Sequence, residues 1–180
     1  MTPLVANVNS LLSILVVIGQ VAVLIGVVTL LMGSSVKKWG QAVAKKAMLF
    51  SFLVAFTSTA GSLFYSDIAG FDPCKLCWFQ RIFMYPMVLL LGMALWKKDK
   101  KIMDYCLGLS ILGAPIAAYH YLLQLDVVPA LPCSAVGYSA ACSQTFVLTF
   151  GYITIPMMAL TGFVMIIILC LIAKKYLPKK

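Results

Sequence analysis

Long apolar runs, interrupted at short polar junctions, set the pattern of this chain. Five of them reach the roughly 20 apolar residues a helix needs to cross a bilayer. They run from Leu11 to Met32, Ala47 to Ser66, Trp78 to Trp96, Ile102 to Leu125 and Gly151 to Ala173. The longest stretch between or beside them, Asp126 to Phe150, is too short for a separate water-soluble domain. The pattern predicts an all-α integral membrane protein with five spans. Composition agrees: 63% of residues are hydrophobic, 11% are charged and the mean hydropathy is +1.03. A soluble domain of 180 residues could not bury that much apolar surface. Residues 1 to 10 hold no lysine or arginine, and the first run is long for a secretory h-region, so a retained first span is expected.

Charge orients the spans. Lysines cluster at Lys37, Lys38, Lys45 and Lys46, at Lys97, Lys98, Lys100 and Lys101, and at Lys174, Lys175, Lys179 and Lys180. These clusters occupy alternate junctions, and the positive-inside rule assigns all three to the cytoplasm. The N-terminus, the Asp67 to Cys77 loop and the Asp126 to Phe150 loop then face outward, and the C-terminus faces inward. Lys75 is the one lysine on the outer side. The net charge of +9 is thus a topology signal. Nucleic-acid binding would need the basic residues gathered on one folded face, so no nucleic-acid partner is expected.

The six cysteines divide along the same lines. Cys106 and Cys170 fall inside spans, toward the cytoplasmic ends, and read as buried small apolar residues. Cys74, Cys77, Cys133 and Cys142 fall in outer loops, where disulfides can persist. Cys74 and Cys77 form a CxxC motif. Eight residues separate Cys133 from Cys142, in a loop turned by Pro129, Pro132 and Gly137. Two outer dithiols can exchange disulfides if their loops meet. Two plainer readings compete with exchange. The pairs can be static staples, although CxxC spacing is typical of reducible redox sites. The four thiols can hold a structural zinc, which an oxidising compartment and a second pair without CxxC spacing disfavour; no metal site is expected.

Cys77 stands at the first turn of the third span, where unpaired N–H groups and the helix dipole favour a thiolate. Arg81, the only arginine, lies four residues on and shares a face with Cys77. Snorkelling to the headgroups accounts for a cation at that depth. It does not account for arginine where the other cations are lysines, and arginine suits planar, oxygen-bearing partners. Cys77 is therefore the thiol expected to face a membrane acceptor, with Cys74 facing the other loop. His120, the only histidine, and Gln124 lie near the outer end of the fourth span, at a depth close to that of Arg81. His120 can be an ordinary hydrogen-bonded helix-packing residue. Together with Arg81, His120 and Gln124 can instead hydrogen-bond the carbonyl oxygens of a quinone. Pro86 and Pro115 are expected to kink their spans. Trp78, Tyr65, Tyr121 and Tyr152 suit an interfacial belt, and Gly61-Ser62 allows close helix approach. Gln20, in the first span, has no evident partner.

These residues carry a specific resemblance. Gly61-Ser62-Leu63-Phe64-Tyr65-Ser66, Pro73-Cys74-Lys75-Leu76-Cys77-Trp78-Phe79-Gln80-Arg81, Met84-Tyr85-Pro86 and His120-Tyr121-Leu122-Leu123-Gln124-Leu125, with the later pair Cys133 and Cys142, are similar to the bacterial disulfide bond formation protein B family over roughly residues 45 to 173. The resemblance implies a four-helix transmembrane bundle in the bacterial cytoplasmic membrane. Such a bundle oxidises a thioredoxin-fold dithiol oxidase on the outer side and passes the electrons to a quinone, ubiquinone or menaquinone. It implies that the partner's thiol attacks Cys133, that Cys142 pairs with Cys133, and that electrons reach Cys74 and Cys77. It further implies that Cys77 meets the quinone with Arg81 in support, and that His120 and Gln124 lie near it. Residues 1–40 would then be an additional N-terminal transmembrane helix and connector, absent from the usual four-helix form, on a bundle formed by 41–180. The loop from Cys133 to Cys142 is short beside the enterobacterial form. The vitamin K epoxide reductase family is the nearest alternative, but its loop cysteines precede the CxxC, whereas here they follow. A non-enzymatic scaffold with stapled loops is a further alternative.

Overall fold

A computed structural model describes residues 2–99, 101–129 and 142–177. Cys133, Pro132 and Gly137 lie outside the described residues. Among the described residues the structure is helical, with five helices each long and apolar enough to cross a membrane. The first, α1 (Pro3–Met32), starts where Thr2 accepts a hydrogen bond from the Val5 amide (3.4 Å) and Pro3 supplies a preset first turn. It ends at Gly33, whose φ of 52° suits glycine. A short 3₁₀ turn, Gly33–Val36, leads into α2 (Lys37–Leu63). This helix starts well before the apolar run that predicts it, because the lysine-bearing segment winds as helix outside the apolar zone. At its outer end α2 widens into a π-helical turn, Phe64–Ile68.

Helix α3 (Lys75–Lys97) follows a short loop, and Cys74 is its N-cap residue in extended conformation. Lys98, left-handed at φ 56°, ends it. Asp99 Oδ1 then accepts from the Lys101 amide (2.9 Å), and α4 (Ile102–Gln124) begins. Helices α3 and α4 both continue through their prolines, Pro86 and Pro115. The last helix, α5 (Ile155–Tyr176), starts four residues later than the apolar run suggests. Residues 149–153 instead close a tight turn. Thr149 and Ile153 exchange backbone hydrogen bonds (both 2.9 Å), and Gly151 takes a φ of 77°. Helical winding resumes only where Pro156 can occupy a first turn.

Helices α2, α3, α4 and α5 form a ring in which each packs on the next, as short antiparallel connections favour. The core is Met87 and Leu91 of α3, Cys106 of α4, Phe163, Ile166 and Cys170 of α5, and Ala47 and Ala55 of α2. Cys106 and Cys170 are therefore packing residues. Gly113 leaves the space the Phe163 ring fills; a Cβ there would overlap it. The outward faces carry large apolar side chains such as Leu31, Leu89 and Trp96, more than 70% exposed, which only a lipid surround would solvate.

Helix α1 stands outside this ring and packs along α5. A Cβ at Gly19 would come within 2.9 Å of Met165, and one at Gly26 would overlap Ile168, so both glycines permit the close approach. Polar contacts fix its height. Gln20 finds partners far away in sequence: its Nε2 donates to Thr161 (3.5 Å) and its Oε1 accepts from the Tyr152 hydroxyl (2.9 Å). At the lysine-rich end the Tyr176 hydroxyl donates to the carbonyls of Thr29 (2.8 Å) and Gly33 (3.0 Å).

Candidate functional site

The cysteine-bearing segments meet at the end of the bundle opposite the lysine clusters. The loop entering α3 is held by an aromatic stack. The Phe71 ring lies between Tyr65 of the π-turn (5.9 Å) and Phe146 of the segment that precedes α5 (4.9 Å), each within 12° of parallel. A hydrogen bond from the Phe71 amide to the Tyr65 carbonyl (2.9 Å) closes the turn. The stack ties the CxxC loop to the segment carrying Cys142. Cys74, Cys142 and Leu123 form a small buried cluster, with Leu76, Cys77 and Val128 packed against it.

Cys74 and Cys77 are a dithiol in this structure, and Cys74 Sγ donates to Cys77 Sγ at 3.4 Å. Cys77 is the acceptor because it sits in the first helical turn, where free N–H groups favour negative charge. The hydrogen bond to Cys77 and then burial push the Cys74 thiol up to about 12, while a hydrogen bond from His120 pulls the other way. Cys74 thus holds its proton more tightly than an ordinary thiol.

His120 of α4 is buried at the same junction. Its Nε2 lies 3.1 Å from the Cys142 carbonyl and 3.6 Å from Cys74 Sγ. Its Nδ1 lies 2.9 Å from Gln80 Nε2 of α3. A carbonyl only accepts, so Nε2 carries the hydrogen and Nδ1 accepts from Gln80. Gln124, one turn further out, donates to the Gln144 carbonyl (3.0 Å). Both residues therefore hold the Cys142 segment, and neither lines the cavity described next. Equal depth along two helices does not put two side chains on facing sides. The donor atoms of Cys74, Cys77 and His120 lie within 4.8 Å of one another, a set that suits a thiophilic divalent cation.

Arg81 faces another way. Its Nε and one terminal nitrogen donate to the Ser62 hydroxyl (3.0 Å) and carbonyl (3.1 Å) on α2. Tyr85 donates to the same hydroxyl (3.1 Å). The guanidinium rests over the rings of Trp78 (5.1 Å) and Tyr85 (5.8 Å). Beside it opens a cavity of about 350 Å³ between α1, α2, α3 and α5. Cys77, Gln80, Arg81, Ser62 and Tyr65 form its polar end, and apolar side chains such as Leu12, Val16, Val54 and Met158 line the rest. Gln80 borders the cavity and also holds His120, so it links the two sides. Gln80 is a site residue that the cysteine, arginine and histidine pattern does not mark, and Ser62 does more than permit close helix approach. Their signal was a polar side chain inside an apolar run.

Comparison with known proteins gives a consistent result. The model of the family described as disulfide bond formation protein DsbB matches residues 44–173. The chain is 43% identical over 129 residues to the probable disulfide formation protein C of Bacillus cereus, covering 72% of this chain and 92% of that protein. It is 44% identical over 127 residues to the disulfide bond formation protein C of Bacillus subtilis, covering 68% and 88%. It is 38% identical over 130 residues to a probable disulfide formation protein of Metapseudomonas resinovorans, covering 71% and 89%. No solved structure matches the chain. The matched region begins inside α2, so α1 lies outside it.

Proposed function

Because the chain belongs to the disulfide bond formation protein B family, we propose that this multi-pass membrane protein is a thiol:quinone oxidoreductase of the bacterial cytoplasmic membrane. It reoxidises a thioredoxin-fold dithiol oxidase on the outer side and delivers the electrons to ubiquinone or menaquinone. The observation that carries this reading is the position of Cys77. On one side it contacts Cys74, which packs against Cys142; on the other it lines an apolar cavity beside Arg81.

The cavity residues fit such an acceptor. Two of the five N–H groups of Arg81 are spent on Ser62, which leaves three to meet a carbonyl oxygen. The apolar lining suits a lipid tail. When bound, the quinone supplies a two-electron, two-proton acceptor and leaves as the quinol.

The chain's own residues move the electrons by disulfide exchange. The partner's thiolate attacks Cys133 and breaks its bond to Cys142. The released Cys142 thiolate attacks Cys74, breaks the Cys74–Cys77 bond and expels Cys77 as a thiolate at the helix N-terminus. The partner's second thiol releases Cys133, which attacks Cys142, re-forms the loop disulfide and frees Cys74. In net terms the partner loses two electrons and two protons, and the Cys74–Cys77 pair gains them before passing them on. His120 holds the Cys142 carbonyl against this pair and directs its N–H at the Cys74 sulfur. The outer face is the cysteine-bearing end, and the lysine clusters face the cytoplasm, with the N-terminus outside.

The test is to mix purified chain, a reduced thioredoxin-fold dithiol protein and a soluble quinone. One quinone should be reduced per partner dithiol oxidised. Cys77→Ser should abolish quinone reduction; an unchanged rate would overturn the proposal.

A further inference from the structure

We propose that α1 is the outer wall of the acceptor cavity and holds the isoprenoid tail of the quinone against α2. This inference rests on the quinone reading above and deepens it. Without α1, the surface between α2 and α5 would be a groove open to lipid. With α1 in place, that groove is the cavity that reaches Cys77 and Arg81.

Three observations carry the point. First, α1 supplies a continuous share of the lining: Leu12, Leu15, Val16, Ile18 and Gly19. Second, α1 packs on α5 rather than along α2, so the cavity lies in the seam between α1 and α2. Leu15 and Ile18 of α1 and Leu53 of α2 line that seam and are each more than two-fifths exposed, which puts the cavity mouth toward the lipid. Third, the polar end is built partly by α1. Asn9 Oδ1 accepts from the Tyr65 hydroxyl at 2.9 Å, and Asn9 Nδ2 donates to Thr149 at 3.0 Å. Tyr65 is buried and lines the cavity, so Asn9 aims a side chain of the site.

The volume indicates what the cavity can enclose. At about 350 Å³ it stands at the lower end of small-molecule sites, which span roughly 300–1,000 Å³. A quinone ring and the first part of its tail fit; a long tail must leave through the seam into lipid. The ring then contacts residues of the family-matched bundle, and the tail contacts α1. Selectivity for tailed over tail-less acceptors is the property α1 should confer.

The experiment compares two quinones with the same ring, one bearing a long isoprenoid tail and one bearing none. The full chain is assayed with Val16→Trp, which fills the lining. Leu15→Trp, at a more exposed lining position, is assayed beside it. Leu24→Trp, on the exposed face of α1, is the control. Two readouts are taken: KM for each quinone, and tailed quinone retained per protein after detergent washing. Both lining variants should raise KM for the tailed quinone about tenfold, the loss expected when roughly two buried methylene groups are driven out. Both should lower the retained tailed quinone. KM for the tail-less quinone should rise by a clearly smaller factor, the rate of exchange with the dithiol partner should stay unchanged, and Leu24→Trp should alter nothing. Equal loss for both quinones, or no loss in either lining variant, overturns the inference. If the wild-type chain reduces neither quinone, the acceptor reading fails and takes this inference with it.

Discussion

Replacing His120 with alanine separates the two halves of the relay. The side chain is buried and spans α3 and the Cys142 segment through Gln80 Nε2 (2.9 Å) and the Cys142 carbonyl (3.1 Å). His120→Ala leaves both of those groups buried without their partner. Each such loss costs about 1–3 kcal/mol, so the pair costs at least about 2 kcal/mol. The Cys142 carbonyl is one of these groups, so much of the loss falls on the docked position of Cys142. The carbonyl's own share, about 1–3 kcal/mol, is what opposes docking, and it lowers the docking equilibrium at least about fivefold. Single-turnover mixing reads the two steps apart. Partner-driven reduction of the Cys74–Cys77 disulfide should slow by about that factor. Quinone reduction by the exhaustively reduced chain should keep its rate, because His120 lies outside the cavity lining. Loss of quinone reduction with normal exchange would refute the reasoning and place His120 at the acceptor.

Three further outcomes are expected. Alkylation by iodoacetamide, which attacks thiolate, should modify Cys77 well before Cys74 in the reduced chain. Labelling of Cys74 should climb with pH toward about 12, as mapped by mass spectrometry. The sign follows from the upward shift: the reduced fold keeps the full benefit of the protonated Cys74 below the ordinary thiol pKa and loses it as pH rises toward that higher value. Arg81→Lys keeps the charge but loses the two-point hold on Ser62; a hydrogen bond to a charged group is worth about 1.5–3 kcal/mol, so quinone binding should weaken tenfold or more. Zinc ion should protect Cys74 and Cys77 of the reduced chain from alkylation until a chelator is added, and should fail to do so in His120→Ala.

Apolar run length located all five helices because each run answers to one constraint, the thickness of the bilayer. It misplaced the start of α2, since a helix can outrun the apolar zone. It also misplaced the start of α5, where Gly151 turns the chain first. That Cys77 and Arg81 share a helix face was legible because a four-residue spacing is local geometry, and both border the cavity. Where His120 and Gln124 point was not legible. Depth along a helix says nothing of the angle about its axis, and that angle is set by how α4 packs on α3 and on the segment near Cys142. The partners of Gln20 were hidden for the same reason, since Thr161 and Tyr152 come from the other end of the chain.

The burial of Cys74 bears on selectivity. Only 4% of this residue is exposed. Cleaving its disulfide requires another sulfur to approach along the S–S axis. A small dissolved thiol reaches that line only when the fold opens locally, whereas Cys142 already rests against it. The arrangement works like insulation on a wire. In the proposed relay electrons would enter at one terminal, from a protein that can dock, and the bulk thiol pool would not short-circuit the path to the quinone. A bacterium that spends respiratory oxidant on making disulfides would then spend it on its chosen oxidase and not on whatever reduced thiol drifts past.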